Sequence, residues 1–399
     1  MLERSVLAGP SGGFRVICLL YLLVSVFCWH YKYSRDRYNN YRIFKGVYTH
    51  TLEGKNLYLE YPAEYGDSNH YGPVFSVVVA PFALLPDGAG LLLWNLVNAL
   101  VFVVSLTLLP LPRSRINLLL LWALLEFANS QHAIQFNPIV AAMIVLTFVA
   151  VERGQDWWAG PLIVLGALVK LYPIIGVVFI LFSKRKGAFV LSCLVSFVVF
   201  FFLPLLITNS GFLVQSYFDW FHSLQHKDVL NKALDSAQDF SVMGIVRRVA
   251  SDPSIPNMPI LLAGGAIFVA PLFLLRNYAL PEFRLRVLAS ALLFVVLFST
   301  GSEHPTYVIA VAGAFLSMLL EEKIFTKTNI ALLILLLILT GLGPTDVFPP
   351  PVRTGIINRY AMKAWPCLAV WLINAYRMFT SRPLKPAEES AVLNISHHN

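Results

Sequence analysis

The sequence predicts an all-α integral membrane protein that crosses the bilayer many times. Hydrophobic residues make up 57% of the 399-residue chain and charged residues only 13%, with a mean hydropathy of +0.68. A soluble domain averages about 25% charged residues, so this chain lacks the polar surface that a soluble protein needs. Apolar runs also recur from end to end, and a long polar loop follows the first of them.

The apolar runs justify the predicted helices in chain order. The first, Phe14 to Trp29, has Arg4 before it and Arg15 at its start. Bulky residues rather than a small-residue cleavage site follow it, which indicates an uncleaved span. The later runs cover 88–111, 115–130, 137–152, 157–169, 171–183, 188–208, 259–275, 285–301, 305–320, 328–342 and 359–377. Several are shorter than the ~20 residues that a span needs, so their ends extend into polar neighbours or some are half-spans. The pattern predicts about 10–13 transmembrane helices.

Basic residues in the short loops set the predicted orientation. Twelve spans with both termini inside place all of the basic clusters on the cytoplasmic side: Arg113 with Arg115, Lys184 to Lys186, Arg276 with Arg284 and Arg286, Lys323 with Lys327, and Arg377 with Arg382 and Lys385. We expect one membrane domain over residues 1–380 and a flexible cytoplasmic tail over 381–399. Two large loops, 31–87 and 209–258, then face outwards.

Two segments depart from a simple alternation of spans. Residues 73–85 are apolar but short and contain Pro81, which favours a re-entrant or outer-leaflet helix. Residues 157–183 contain Lys170 shortly before Pro173; a lysine in mid-membrane costs about 3 kcal/mol, and residues before a proline tend to leave the helix. We therefore predict a break at Lys170, at the outer surface. In the second large loop, Phe240 to Ala250 is predicted as an amphipathic interfacial helix.

Several function classes have no support in the sequence. The formal charge of +8 is spread along the chain without a basic tail or an aromatic-basic stripe, so nucleic acid is not an expected partner. The four cysteines lie in or beside apolar runs, with neither zinc-site nor disulfide spacing. We find no Walker motif, glycine-rich phosphate loop or nucleophile elbow, and we expect neither a metal nor a cofactor.

The first large loop combines carboxylates and cations next to a membrane span. Asp36 lies between Arg35 and Arg37, and Glu60 and Asp67 follow later in the loop. Glycosyl transfer from a phosphate-linked donor needs a carboxylate that takes a proton from the acceptor hydroxyl. It also needs cations that stabilise the charge of the departing phosphate. The alternative is a solvated surface loop with ion pairs.

Other polar residues fall on the same predicted face. Gln135 and Asn137 offer planar amides that suit sugar hydroxyls, and they equally suit the capping of helix ends. Lys170 is either a phosphate ligand or a side chain that snorkels to the interface. Glu303 and His304 either hold a sugar or acceptor or cap a short turn.

A series of short motifs resembles glycosyltransferase family 87, the DUF2029 group of GT-C type enzymes. The motifs, within residues 15–320, are Gly54-Lys-Asn-Leu-Tyr58, Tyr71-Gly-Pro-Val-Phe75, Pro81-Phe-Ala-Leu-Leu-Pro86, Leu93-Trp-Asn95, Gln135-Phe-Asn137 and Val169-Lys-Leu-Tyr-Pro173. The resemblance implies a GT-C-like helical bundle whose first outer loop bears juxtamembrane helices. It also implies the inverting transfer of a hexose, typically mannose, from a polyprenyl-phosphate sugar to a glycan or glycolipid acceptor on the outer side of a bacterial cytoplasmic membrane.

The acidic base that the resemblance implies in the first outer loop aligns with Asn40, an amide that cannot act as a base. We therefore assign Asp36, one helical turn earlier, as the favoured base, with Glu60 and Asp67 in reserve. The candidate phosphate ligands are Arg35, Arg37, Lys170 and Arg359. The candidate sugar or acceptor residues are Asn40, His70, Tyr71, Gln135, Asn137, Glu303 and His304.

Three alternatives to such a hexosyltransferase stay open at this stage. A secondary transporter would place ionisable groups near mid-membrane within paired repeats, and the sequence has no visible repeat. A non-catalytic protein that binds a lipid-linked sugar is compatible with Asn40. A lipid-linked polymerase or ligase is a related enzyme alternative.

Overall fold

The computed structural model describes residues 12–380, and within these residues the chain is helical with no β-strand. The predicted all-α fold class is therefore confirmed. The expectations for Arg4 and for the tail over 381–399 lie outside the described residues.

The apolar runs of the sequence all form helices. The α-helices are α1 (Gly12–Tyr33), α2 (Asn39–Glu53), α3 (Phe75–Ala83), α4 (Asp87–Thr107), α5 (Arg113–His132), α6 (Asn137–Glu152), α7 (Ala159–Val169), α8 (Lys186–Phe202), α9 (Ser210–Asn231), α10 (Val242–Ala250), α11 (Asn257–Val269), α12 (Pro281–Leu297), α13 (Tyr307–Leu319), α14 (Lys327–Leu335), α15 (Pro350–Val352) and α16 (Ala364–Thr380). Tighter 3₁₀ turns cover Asp156–Trp158, Tyr172–Leu181, Leu203–Leu206, Ala270–Phe273, Leu275–Ala279 and His304–Thr306, and π-helical turns cover Leu336–Leu342 and Arg353–Asn358.

Among residues 12–380, three helical stretches are long and apolar enough to cross a membrane by themselves: α1, α4 and residues 186–206. The other apolar helices are shorter, as the lengths of the sequence runs had indicated. The number of full spans therefore stays a prediction.

The bundle is built around α13. All of its residues from Tyr307 to Leu319 are buried, and a helix that is apolar all round belongs in the interior of a bundle. Gly313 lets α12 approach closely, because a Cβ there would lie 2.6 Å from the carbonyl oxygen of Ala289. By contrast, α1 and α8 are mostly exposed and apolar, which indicates surfaces that face lipid.

The predicted break at Lys170 is confirmed. Helix α7 ends at Val169. Lys170 then has an extended backbone, with φ of −152° and ψ of 107°, before the 3₁₀ turn at Tyr172–Leu181. Residues 73–85, where a short helix was predicted, contain helix α3. With nine residues it is about 14 Å long at 1.5 Å per residue, too short to span the bilayer.

The first large loop contains α2 and α3, in agreement with the juxtamembrane helices that the family resemblance implies. Helix α2 buries a face that includes Tyr41, Phe44 and Val47, and the Tyr41 hydroxyl donates to the carbonyl of Phe82 in α3 (2.8 Å). The helix stops at Gly54, whose φ of +68° is the left-handed conformation that favours glycine. The hydrogen bond of Tyr41 fixes the start of α2 against α3.

A helix over Phe240 to Ala250 was predicted at the membrane interface, and the predicted interfacial position is wrong. The helix exists as α10, but Arg247 and Arg248 are buried rather than directed at a membrane surface. Arg247 forms an ion pair with Asp239 (2.5 Å), and Arg248 donates to backbone carbonyls. Sequence periodicity did not reveal these internal partners.

A buried ion pair joins α5 to the start of α16. Lys363 donates to Glu126 (2.8 Å) and to the carbonyl of Thr340 (2.6 Å), and the amide of Asn129 donates to the same carboxylate oxygen (2.9 Å). Both charged side chains are almost inaccessible. Removing one partner of such a pair costs far more than removing both, because the other charge is left buried alone.

We expect Lys363→Met to lower the free energy of unfolding by about 3–5 kcal/mol, since Glu126 then lacks its cation. The double variant Lys363→Met with Glu126→Gln should recover most of this loss. Unfolding in detergent, followed by circular dichroism, measures both. Lys55→Met is the control, because Lys55 pairs with Glu53 at the surface and its loss should leave the transition unchanged. Equal losses in the single and double variants would show that the unpaired charge is not the cause.

Candidate active site

A cavity of about 320 Å³ gathers polar side chains from segments far apart in the sequence. They come from the first large loop, the turn after α5, the break at Lys170, helix α9 and the turn before α13. Its charged and hydrogen-bonding side chains include Asn40, Asp67, His70, Tyr71, Gln135, Lys170, Lys227, Asp228, Gln238 and Glu303. This is the concave, polar-lined site that a small hydrophilic substrate group requires.

Lys170 enters the cavity because the chain approaches α7 very closely at Gly72. The Gly72 amide donates to the carbonyl of Val169 (3.1 Å), and a Cβ at Gly72 would overlap the carbonyl oxygen of Leu168. The Lys170 ammonium then donates to Oδ1 of Asn137 (2.8 Å). Within the described residues no carboxylate lies within ion-pair distance of it, so its positive charge remains available to a ligand.

Burial lowers the pKa of Lys170 to about 8, although the negative charge of Glu303 opposes the shift and the positive charge of Lys227 adds to it. The ammonium is therefore mostly charged at neutral pH and loses its proton just above it. Burial likewise lowers the pKa of His70 to about 4, so this imidazole is neutral under the same conditions. A neutral histidine is a hydrogen-bonding group rather than a cation.

Glu303 is fixed in place by two amides. Gln135 donates to its Oε1 and Gln238 to its Oε2, both at 3.2 Å. The Tyr71 hydroxyl in turn donates to the side-chain oxygen of Gln135 (3.0 Å). The carboxylate is thus held as an oriented acceptor on the cavity wall, which suits a hydroxyl group of a bound sugar or acceptor.

Helix α9 contributes one face that sequence reasoning missed. Trp220, Leu224, Lys227 and Asn231 all line the cavity, and their spacing of four, three and four residues places them on one side of a helix. That spacing was the available signal. The Lys227 ammonium has no hydrogen bond or ion pair within the described residues, and burial lowers its pKa. It is the second cation of the cavity that lacks a carboxylate partner.

A buried arginine holds the segment that carries Gln238. Arg248 donates to the carbonyls of Leu234, Ser236, Gln238 and Asp239 over 2.7–3.4 Å. Two backbone hydrogen bonds then join this segment to the turn before α13. The amide of Asp239 donates to the carbonyl of Thr300 (3.0 Å), and the amide of Phe240 donates to the carbonyl of Ser302 (2.9 Å). Gln238 and Glu303 meet because these two segments are joined.

Residues 69–300 match glycosyltransferase family 87, and this region is more than half of the 399-residue chain. The chain belongs to glycosyltransferase family 87. The family suggested by the sequence motifs is therefore confirmed. No curated protein matches the chain. Membership of this family, together with the apolar helices, makes the protein a membrane glycosyltransferase.

The cavity of this family 87 member collects most of the predicted sugar and acceptor residues, together with the reserve base Asp67 and the predicted phosphate ligand Lys170. Asn40, Asp67, His70, Tyr71, Gln135, Lys170 and Glu303 line it, and Asn137 lies directly behind Lys170 as its hydrogen-bond acceptor. The His70 carbonyl accepts from Trp220 of α9 (3.0 Å), and Nδ1 of His70 lies 3.3 Å from the Ser223 hydroxyl. Asn40 donates its amide to the carbonyl of Ala133 (2.7 Å).

The structure does not bring the other predicted residues of the family 87 chain to the cavity. Asp36, which the sequence analysis favoured as the base, is exposed, pairs with Arg42 and does not line the cavity. Arg359 stacks on its neighbour Tyr360, and His304 packs on the ring of Phe240. Exposed positions outside the cavity lining are also found for Arg35, Arg37 and Glu60. Within the described residues no cluster of histidine, cysteine, aspartate or glutamate is arranged to hold a metal ion.

We expect Arg248→Gln to loosen the cavity wall, because four backbone carbonyls lose a charged donor and each such hydrogen bond is worth about 1.5–3 kcal/mol. Hydrogen exchange measured by mass spectrometry should show faster exchange of the Asp239 and Phe240 amides. Arg276→Gln is the control, since Arg276 is exposed and within the described residues makes no hydrogen bond to this segment. Unchanged protection in Arg248→Gln would contradict the role of the arginine.

Proposed function

We propose that the protein transfers a hexose, with mannose as the first candidate, from a polyprenyl-phosphate donor to a hydroxyl of a glycan or glycolipid. The transfer inverts the anomeric centre and takes place on the outer face of a bacterial cytoplasmic membrane. The observation that carries the proposal is a single cavity with two lysines that lack carboxylate partners, Lys170 and Lys227, beside the carboxylates of Asp67 and Glu303. Family membership supports the transferase chemistry.

The two lysines match the change in phosphate charge during such a reaction. A sugar linked to a polyprenyl phosphate is a phosphodiester with one negative charge, and cleavage of the sugar–phosphate bond leaves a phosphate monoester with two. Lys170 pairs with the charge present in the bound donor, and Lys227 stabilises the charge that develops as the bond breaks. Cations preorganised toward a developing charge are an effective form of transition-state stabilisation.

Asp67 is the carboxylate best placed to act as general base. It lines the cavity near its exposed rim, where an acceptor enters, and its Oδ1 accepts only from the neighbouring amide of Ser68 (2.8 Å). Glu303 has both oxygens occupied by amide donors, which suits it to positioning rather than proton removal. Asn40 lies in the same cavity but offers an amide.

The proposed step has a balanced course. The acceptor oxygen forms a bond to the anomeric carbon while the bond from that carbon to the phosphate oxygen breaks, and its electron pair goes to the phosphate. Asp67 takes the proton of the acceptor hydroxyl. Glu303, Gln135 and neutral His70 hold sugar hydroxyls, and Trp220 offers an apolar ring face to the sugar.

We expect Asp67→Asn to lower kcat by about 10²–10⁴-fold, since it removes the general base and keeps the side-chain shape. Asparagine also tolerates the left-handed backbone of residue 67, where φ is +89°. Proteoliposomes that receive radiolabelled polyprenyl-phosphate mannose and candidate acceptors provide the assay. Asp36→Asn is the matched control and should retain full transfer, because Asp36 pairs with Arg42 outside the cavity.

Retention of full transfer by Asp67→Asn, with loss in Glu303→Gln, would move the base to Glu303.

A second candidate function is favoured by Asn40, because an amide occupies the position where the family resemblance implies an acid. In that case the protein would bind a lipid-linked sugar without transferring it. Donor binding with no turnover in any acceptor assay would select this second function.

Donor affinity should fall as pH rises through about 8, because the free Lys170 ammonium has a pKa of about 8 and only its protonated form attracts phosphate. Between pH 7 and 9 we expect the dissociation constant of the donor to rise roughly tenfold. Equilibrium binding of a fluorescent polyprenyl-phosphate sugar measures it. Lys170→Gln should bind weakly with a flatter pH profile, and an unchanged slope in this variant would exclude Lys170 as the titrating group.

A further inference from the structure

A ladder of apolar and aromatic side chains winds along α1 (Gly12–Tyr33) and leads to a cation just beyond the end of the helix. Leu19, Leu23, Phe27 and Tyr31 recur every four residues, and the next position in the series is Arg35. Leu23 and Phe27 are 54% and 65% exposed. The Phe27 and Tyr31 rings lie 6.2 Å apart, and the Arg35 guanidinium lies 4.1 Å from the Tyr31 ring centre.

The end of the ladder is a cluster of cations without counterions. Lys32, Arg35 and Arg37 have no carboxylate within ion-pair distance in the described chain, whereas the intervening Asp36 pairs with Arg42. The Arg37 amide donates to the carbonyl of Lys32 (2.9 Å), which places both residues in one turn. The His132 ring is tilted against the Tyr31 ring, with 5.4 Å between the ring centres.

We propose that this ladder binds an anionic phospholipid. The acyl chain lies along Leu19, Leu23 and Phe27, and the phosphate sits between Arg35, Arg37 and Lys32. The proposal is independent of the transferase function, because none of these residues lines the catalytic cavity.

The dimensions and the charge both fit this occupant. From Leu19 to Tyr31 the helix rises about 18 Å, close to the ~15 Å of hydrocarbon in one leaflet. The cations therefore lie at the level of the headgroups, where a half-buried aromatic ring such as Tyr31 also favours the interface. A free phosphate ion would explain the cations but not the exposed apolar ladder below them. A zwitterionic lipid would leave the cluster uncompensated.

The test compares phosphatidylglycerol with phosphatidylcholine on the full-length protein, by native mass spectrometry from detergent. The wild type should retain phosphatidylglycerol in preference, and a long-chain form in preference to the dihexanoyl form. The double variant Arg35→Gln with Arg37→Gln should lose affinity for phosphatidylglycerol roughly 30-fold, since each interfacial cation contributes about fivefold. Lys55→Gln is the matched control, an exposed cation of the same loop that already has a carboxylate partner, and it should bind as the wild type does.

Each other outcome overturns the proposal. Equal retention of both lipids by the wild type would show that charge is not recognised. Unchanged affinity in the double variant would place the lipid elsewhere. Displacement of phosphatidylglycerol by millimolar inorganic phosphate, or equal binding of the dihexanoyl form, would identify a site for free anions rather than for a lipid.

Discussion

The cavity depends on the joining of two loops that are distant in sequence. Two backbone hydrogen bonds link Asp239 and Phe240 to the turn at residues 300–302, and the buried guanidinium of Arg248 holds the first of these segments in shape. Only because of this junction does Gln238 reach Glu303. Buried backbone groups need partners, so an arginine that supplies several donors at once can fix an irregular segment that no helix supports.

Two classes of buried charge stand out among the described residues. Those that hold the bundle together are paired inside it, as in Glu126 with Lys363 and Asp239 with Arg247. The two cavity lysines lack carboxylate partners within the described residues, and burial lowers the pKa of each. A buried cation without a partner is costly, and an anionic substrate group relieves that cost when it binds. Under the proposed function, the phosphate of the donor supplies this partner.

The two ends of the first large loop lie in different surroundings. Its later part, from Asp67 to Tyr71, lines the cavity, whereas Arg35 and Arg37 remain at the exposed end of α1. The difference arises from the way that the loop folds. Helix α2 buries its apolar face against α3, and this packing carries Asn40 to the cavity while the preceding turn stays outside. One loop can thus leave its cations exposed near one end and line the cavity with its other end.

The sequence by itself determined the helical membrane fold, the break at Lys170 and the family, because hydropathy, proline positions and local motifs act over short stretches of chain. It also indicated seven of the polar residues that line the cavity. It did not determine which carboxylate belongs there: Asp36 and Asp67 are equally acidic in the sequence, and only the packing of the loop separates them. The tertiary structure also decided the burial of Arg247 and Arg248 and the contribution of α9, since these depend on contacts between segments that no local pattern encodes.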